Sequence, residues 1–153
     1  PFKVVFFEAR ERLRRDDVDS WIDLHPVFDG VIEVMKILNS QDRLYIATLK
    51  DAKSVKLILK KQGLTIKKDR LFDQAQITSK LQALDKIKEQ IGCDKKDMIF
   101  IDDNVTHLLG PKNSEYTVYL TAWGEILDEY LYIAKVHNIQ LLDNCIKLLK
   151  KKI

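Results

Sequence analysis

The chain has 153 residues, of which 46% are hydrophobic and 32% charged, with only 5 Gly and 3 Pro. That length suits one domain, and the composition excludes collagen-like and disordered chains. Lys plus Arg number 26 against 23 Asp plus Glu, a formal charge of +3, and the lysines are scattered along the chain, which argues against a nucleic-acid binder. Apolar runs reach only about six residues, far short of the roughly 18 needed to cross a bilayer, and Val4 to Phe7 is too short for a signal-peptide core. Cys93 and Cys145 make neither a disulfide framework nor a metal-binding spacing. The expectation is one soluble, cytoplasmic domain over residues 1–153 that does not engage a membrane.

In chain order, strands alternate with helices. Lys3 to Phe7 is an unbroken β-branched and aromatic run, the pattern of a strand covered on both faces. Asp29 can cap a helix whose stripe is Val31, Val34, Met35 and Leu38. Leu44 to Ala47 predicts a second strand, and Asp51 can cap a helix with Val55, Ile58 and Leu59 that Gly63 stops. Leu71-Phe72 is a short strand. Ser79-Lys80-Leu81-Gln82 fits a capping box opening a helix through Leu84, Ile87 and Ile91 to Gly92.

Met98 to Ile101 is the clearest strand, followed at once by Asp102-Asp103-Asn104. Thr117 to Leu120 is another strand, Ile126 to Val136 a helix, Ile139 to Leu142 an edge strand, and Asn144 opens a terminal helix. Alternation of this kind predicts βαβ crossovers and a mainly parallel sheet between two helical layers. In such sheets the chemistry gathers at the carboxyl ends of the strands. Those ends would carry Glu8-Ala9-Arg10, Thr48-Leu49-Lys50-Asp51 and Asp102-Asp103-Asn104, with Lys80 at the start of a helix between them.

That ordered set resembles the haloacid dehalogenase-like (HAD) hydrolase superfamily over nearly the whole chain. Tyr45-Ile46-Ala47-Thr48 matches the family's hydrophobic strand closing in a hydroxyl. Lys80 stands where its lysine is expected, and Ile99-Phe100-Ile101-Asp102-Asp103-Asn104 matches the strand closing in paired acids. Tyr119-Leu120-Thr121-Ala122-Trp123-Gly124 looks like its last core strand and turn. The resemblance implies a three-layer α/β/α, Rossmann-like domain and phosphoryl transfer through an aspartyl-phosphate, a reaction that asks mainly for positioning and charge neutralisation. It implies that Thr48 hydrogen-bonds a phosphate oxygen, that Lys80 offsets negative charge, and that Asp102, supported by Asp103 and with Glu8 in the nucleophile's position, holds Mg²⁺.

The first motif departs from the family pattern. Where Asp-x-Asp is expected after the first strand, Glu8-Ala9-Arg10 stands. Glu8 keeps a carboxylate with one more methylene, and a misplacement of about 1 Å can cost on the order of 100-fold in rate. Arg10, with a pKa above about 12, cannot act as a general acid or base, and its charge weakens cation binding. The expectation is an impaired relative that keeps a phosphate- or Mg²⁺-sized crevice as a binding or regulatory module; the alternative is an active Mg²⁺-dependent phosphatase.

Each residue also has a plainer reading. Asp102 and Asp103 suit a helix-capping turn, and Lys80 beside its capping serine suits a solvated lysine. Arg10, Arg12, Arg14 and Arg15 could grip a phosphorylated partner, but the neighbouring Glu11, Asp16 and Asp17 favour a self-satisfied surface loop. His25, His107 and His137 are too dispersed for a metal site, although His107 falls just beyond the acidic pair. Trp21 and Trp123 read as packing residues. The stretches from Glu8 to Asp29 and from Thr48 to Lys80 are about 20 and about 32 residues, too short for an inserted cap domain of 50 or more. An uncapped crevice suits a macromolecular phosphate, a protein partner acting as a lid, or no substrate.

Overall fold

A computed structural model of the chain describes residues 2–28, 30–123 and 126–150. It is an α/β structure in which helices flank two parallel sheets. The expected first strand is absent: α1 spans Phe2–Asp16 and includes the whole of the Lys3–Phe7 run. A short apolar run without alternation fits a helix as well as a strand. The strong helix formers that follow it, Glu8 through Arg14, extend the helical choice backwards. Arg14 and Arg15 lie in the last turn, where cations meet the helix dipole favourably. A six-residue helix, α2 (Val18–Asp23), follows, capped by the Asp17 side chain on the Ser20 amide.

The next helix, α3, runs Val31–Ser40 behind Gly30, which holds a left-handed φ of 76° at the cap; the expected cap Asp29 lies outside the described residues. Strand β1 (Ile46–Ala47) leads through Thr48 to α4 (Ala52–Lys61), where Asp51 accepts the Ser54 amide as predicted. Gly63 follows this helix at φ 71°, a conformation open to glycine at little cost. Strand β2 (Leu71–Phe72) pairs with β1 in parallel register, Ile46 opposite Leu71.

Helix α5 (Lys80–Ile91) is capped by Ser79 as predicted, its hydroxyl accepting the Gln82 amide, while Gln82 Oε1 accepts the Thr78 amide and not that of Ser79, and Gly92 closes the helix. Strand β3 (Ile99–Asp102) then leads into α6 (Val105–Asn113), a helix that the sequence reading missed because Gly110 and Pro111 sit inside it. After it come β4 (Thr117–Thr121), α7 (Asp128–Val136) and β5 (Gln140–Leu142). The expected terminal helix is a 3-10 helix, Cys145–Lys150. Gly124, in the matched turn, lies outside the described residues.

The three strands β3-β4-β5 form one parallel sheet and β1-β2 a separate one. Side chains alternate along β4, so Val118 and Leu120 enter one core with Leu84, Leu108 and Ala134, while Tyr119 enters the opposite core with Val34, Leu142 and Leu148. That is a three-layer arrangement read from two faces of one strand. The smaller sheet has its own cluster, Ile32, Leu59, Leu64, Ile66 and Leu71. Among the described residues no helix is long and apolar enough to cross a membrane.

Candidate functional site

The carboxyl ends of β1 and β3 meet at Lys80. As the first residue of α5, Lys80 points its ammonium at both strands: Nζ donates to the Ala47 carbonyl at 2.7 Å and lies 3.2 Å from Asp102 Oδ2. The Lys80 and Asp102 side chains are 10% and 8% exposed, so this is a buried ion pair that ties β1 to β3. A buried pair is held only where its remaining polar groups are satisfied. Asp102 Oδ1 accepts the Asn104 amide at 2.9 Å and lies 3.0 Å from His107 Nδ1.

Thr48 sits immediately after β1. Its amide donates to the Phe72 carbonyl and its hydroxyl accepts the Lys50 amide at 3.0 Å, which curls the chain towards the start of α4. Asp73, buried just after β2, accepts the Ala52 amide at 2.9 Å and so fixes the same helix end. Burial lowers the pKa of Lys50, and the positive charge of Arg10 lowers it further, against the opposing pull of Asp51.

Helix α1 reaches this region through Arg14, whose guanidinium donates to Asp51 Oδ1 at 2.8 Å and Ser54 Oγ at 2.6 Å and also pairs with Glu11. Burial opposes the Asp51 charge, but hydrogen bonds from Ser54 and from Arg14 outweigh it and hold the carboxyl at about 2. The guanidinium groups of Arg10 and Arg14 also stand about 6 Å from the Trp21 ring, at 6.0 and 5.9 Å. The arginine stretch is therefore helical and not a loop, with Arg10 and Arg14 turned towards Trp21 and Arg12 and Arg15 on another side, and it is partly self-satisfied as expected.

Of the predicted residues, Thr48, Lys80 and Asp102 are brought to one end of the strands. Asp103 is next to them but exposed. Glu8 does not follow a strand: it is exposed on α1 and lines a shallow depression with Glu11, Arg12 and Arg15 of its own helix. Arg10, half-buried, stands close enough to Lys50 to act on its charge. The first-motif assignment thus loses its structural premise, because an apolar run without alternation could not distinguish a strand from a helix. The sequence reading also passed over Lys50 and the partnership of His107 with Asp102. The second was foreshadowed: Asn104 is a strong cap residue, and a helix starting at Val105 turns position 107 back towards position 102.

The residues present do not make a Mg²⁺ site. Both Asp102 oxygens are engaged by Lys80, His107 and the Asn104 amide, and Asp103 is exposed. Among the described residues no group of three or more His, Cys, Asp or Glu is placed to hold a metal.

No protein-family model and no curated protein matches the chain. Among solved structures, a hydrolase from Pseudomonas syringae is similar in fold, with a TM-score of 0.65 at 17% identity over 92% of this chain. The chain spans 66% of the length of that hydrolase.

Proposed function

We propose that the crevice at the carboxyl ends of β1 and β3 is a phosphate-binding site in a HAD-like, hydrolase-fold domain, and that these residues alone bind a phosphorylated group without turning it over. The observation that carries this reading is Lys80, buried and held on Asp102 and on the carbonyl of Ala47, the residue before Thr48. A phosphate oxygen set against Thr48 would meet its hydroxyl and the ammonium of Lys50. The lowered pKa of Lys50 fits that role, since an arriving anion would relieve the repulsion from Arg10. The reading without turnover is supported by the placement of Glu8, exposed on α1 and not at a strand end. A phosphorylated macromolecule or protein is the ligand class that an open crevice of this kind accommodates.

Titration with inorganic phosphate, followed by amide chemical shifts, tests the reading. Saturable shifts at residues 48–52 are expected, weakened about tenfold in Thr48→Val, the cost of one hydrogen bond to a charged group. Absence of saturable binding, or equal binding by the variant, overturns it. A second reading, an active phosphatase, is favoured only by the similarity in fold to a hydrolase of which the chain spans 66%. Turnover of an aryl phosphate with Mg²⁺ that disappears in a folded Asp102→Asn variant would establish that reading in place of the first.

A further inference from the structure

Among the described residues the β1-β2 and β3-β4-β5 sheets do not join, and an edge of β1 and an edge of β3 remain unpaired. Between them lies a cavity of about 810 Å³. Its lining includes the consecutive residues 43–47 and 97–103. Side chains alternate across a strand, so a cavity against a sheet face would be lined by every second residue, whereas consecutive lining means that the backbone edges themselves face the space. Above and below, the cavity is closed by Val34 and Met35 of α3 and by Leu84 and Ile87 of α5. Those helices pack against opposite faces of the β3-β4-β5 sheet, since Val34 and Leu84 belong to the two different cores. The empty space is therefore in the sheet layer itself.

We propose that this cavity is a strand slot, which takes an extended peptide from outside these 153 residues, apolar on both faces, lying parallel to β1 and β3 and joining the two sheets into one. The direction follows from Lys80, which touches the last residue of β1 and the last residue of β3, so both edges run the same way, as every observed strand pairing in the molecule does. The chemistry follows from the lining: helices cover both sides, and a strand buried on both faces is a near-continuous apolar run. This inference is independent of the phosphate reading.

The test uses the 153-residue protein and a capped probe peptide of five alternating Val and Ile residues with two lysines at each end for solubility. Hydrogen exchange is followed residue by residue with and without the probe. Binding should slow exchange of amides in residues 46–47 and 99–102 by about tenfold or more. The same peptide with a central proline, which lacks a donor, should bind at least about tenfold more weakly, as should one with serine at every second position. Met35→Trp, which fills the slot, should abolish protection, and if that variant does not fold the two control peptides still decide. Equal protection by the proline peptide, no protection at saturating probe, or protection of these edges without the probe that grows with protein concentration would each overturn the proposal, the last by assigning the slot to a second copy. Because phosphate is read at residues 48–52, failure of either reading leaves the other measurable.

Discussion

The β3-β4-β5 half and the β1-β2 half are built from the same parts, parallel strands followed by capped helices, yet they are finished differently. In the larger half both faces of β4 are buried, in two separate cores, and Leu120 is fully enclosed. In the smaller half each strand contributes two ladder residues and a single cluster packs beside them. What ties the halves across the gap is one buried ammonium, that of Lys80, and the helices above and below. The larger half is a finished core; the smaller leans on it through a polar joint next to an open slot.

The comparison can be broken in several ways. The largest effect is expected from Leu120→Ala, which empties a fully enclosed site and should cost about 4 kcal/mol in denaturant unfolding, whereas Leu71→Ala in the smaller half should cost about 2 kcal/mol because its surroundings can close in. Equal losses would contradict the distinction. Next, Lys80→Met leaves the Asp102 carboxylate buried without its cation and should cost about 3 kcal/mol, much of it recovered in the double variant Lys80→Met with Asp102→Leu. A double variant no more stable than the single one would show that the joint is not what holds the halves.

Smaller effects sharpen the picture. Tyr116 donates to Asp85 at 2.7 Å within the larger half, and burial with that neighbouring carboxylate raises its pKa. Tyr116→Phe should cost about 1.5 kcal/mol. In the smaller half, Asp51→Asn keeps the cap but removes the charge that faces Arg14, and because the carboxylate is partly exposed the loss should be only about 0.5–1 kcal/mol. The folded Asp51 carboxyl lies at about 2, below its ordinary 3.8, so its contribution is complete above pH 3.8 and is lost as the pH falls through about 2. Unfolding curves of wild type and Asp51→Asn should therefore differ at pH 7 and converge near pH 2; a constant gap would remove the charge from the account.

Much of the fold is legible in the amino-acid sequence. The caps at Asp51 and Ser79, the glycine stops at Gly63 and Gly92, and the strand into Asp102 depend on interactions within a few residues, and such interactions are written in local sequence. Where local terms balance, the sequence does not decide between helix and strand. The run from Lys3 to Phe7 satisfies a strand or a helix, and only its continuation into α1 and the anchoring of that helix by Arg14 on Asp51 and Ser54 decided the outcome. Helix α6 was hidden by Gly110 and Pro111, whose unfavourable propensity is overridden by burial of Val105, Leu108 and Pro111.

By itself, then, the sequence determined which segments are strands and helices wherever spacing and capping agreed, and it placed Thr48, Lys80 and Asp102 at segment ends. Tertiary structure decided which of those ends meet, that Glu8 stands apart from them, and that the two sheets face each other across an open slot. The reason is physical: hydrogen-bond periodicity and caps act over a few residues, whereas the pairing of Lys80 with Asp102 joins positions brought together only when β1, β3 and α5 have packed.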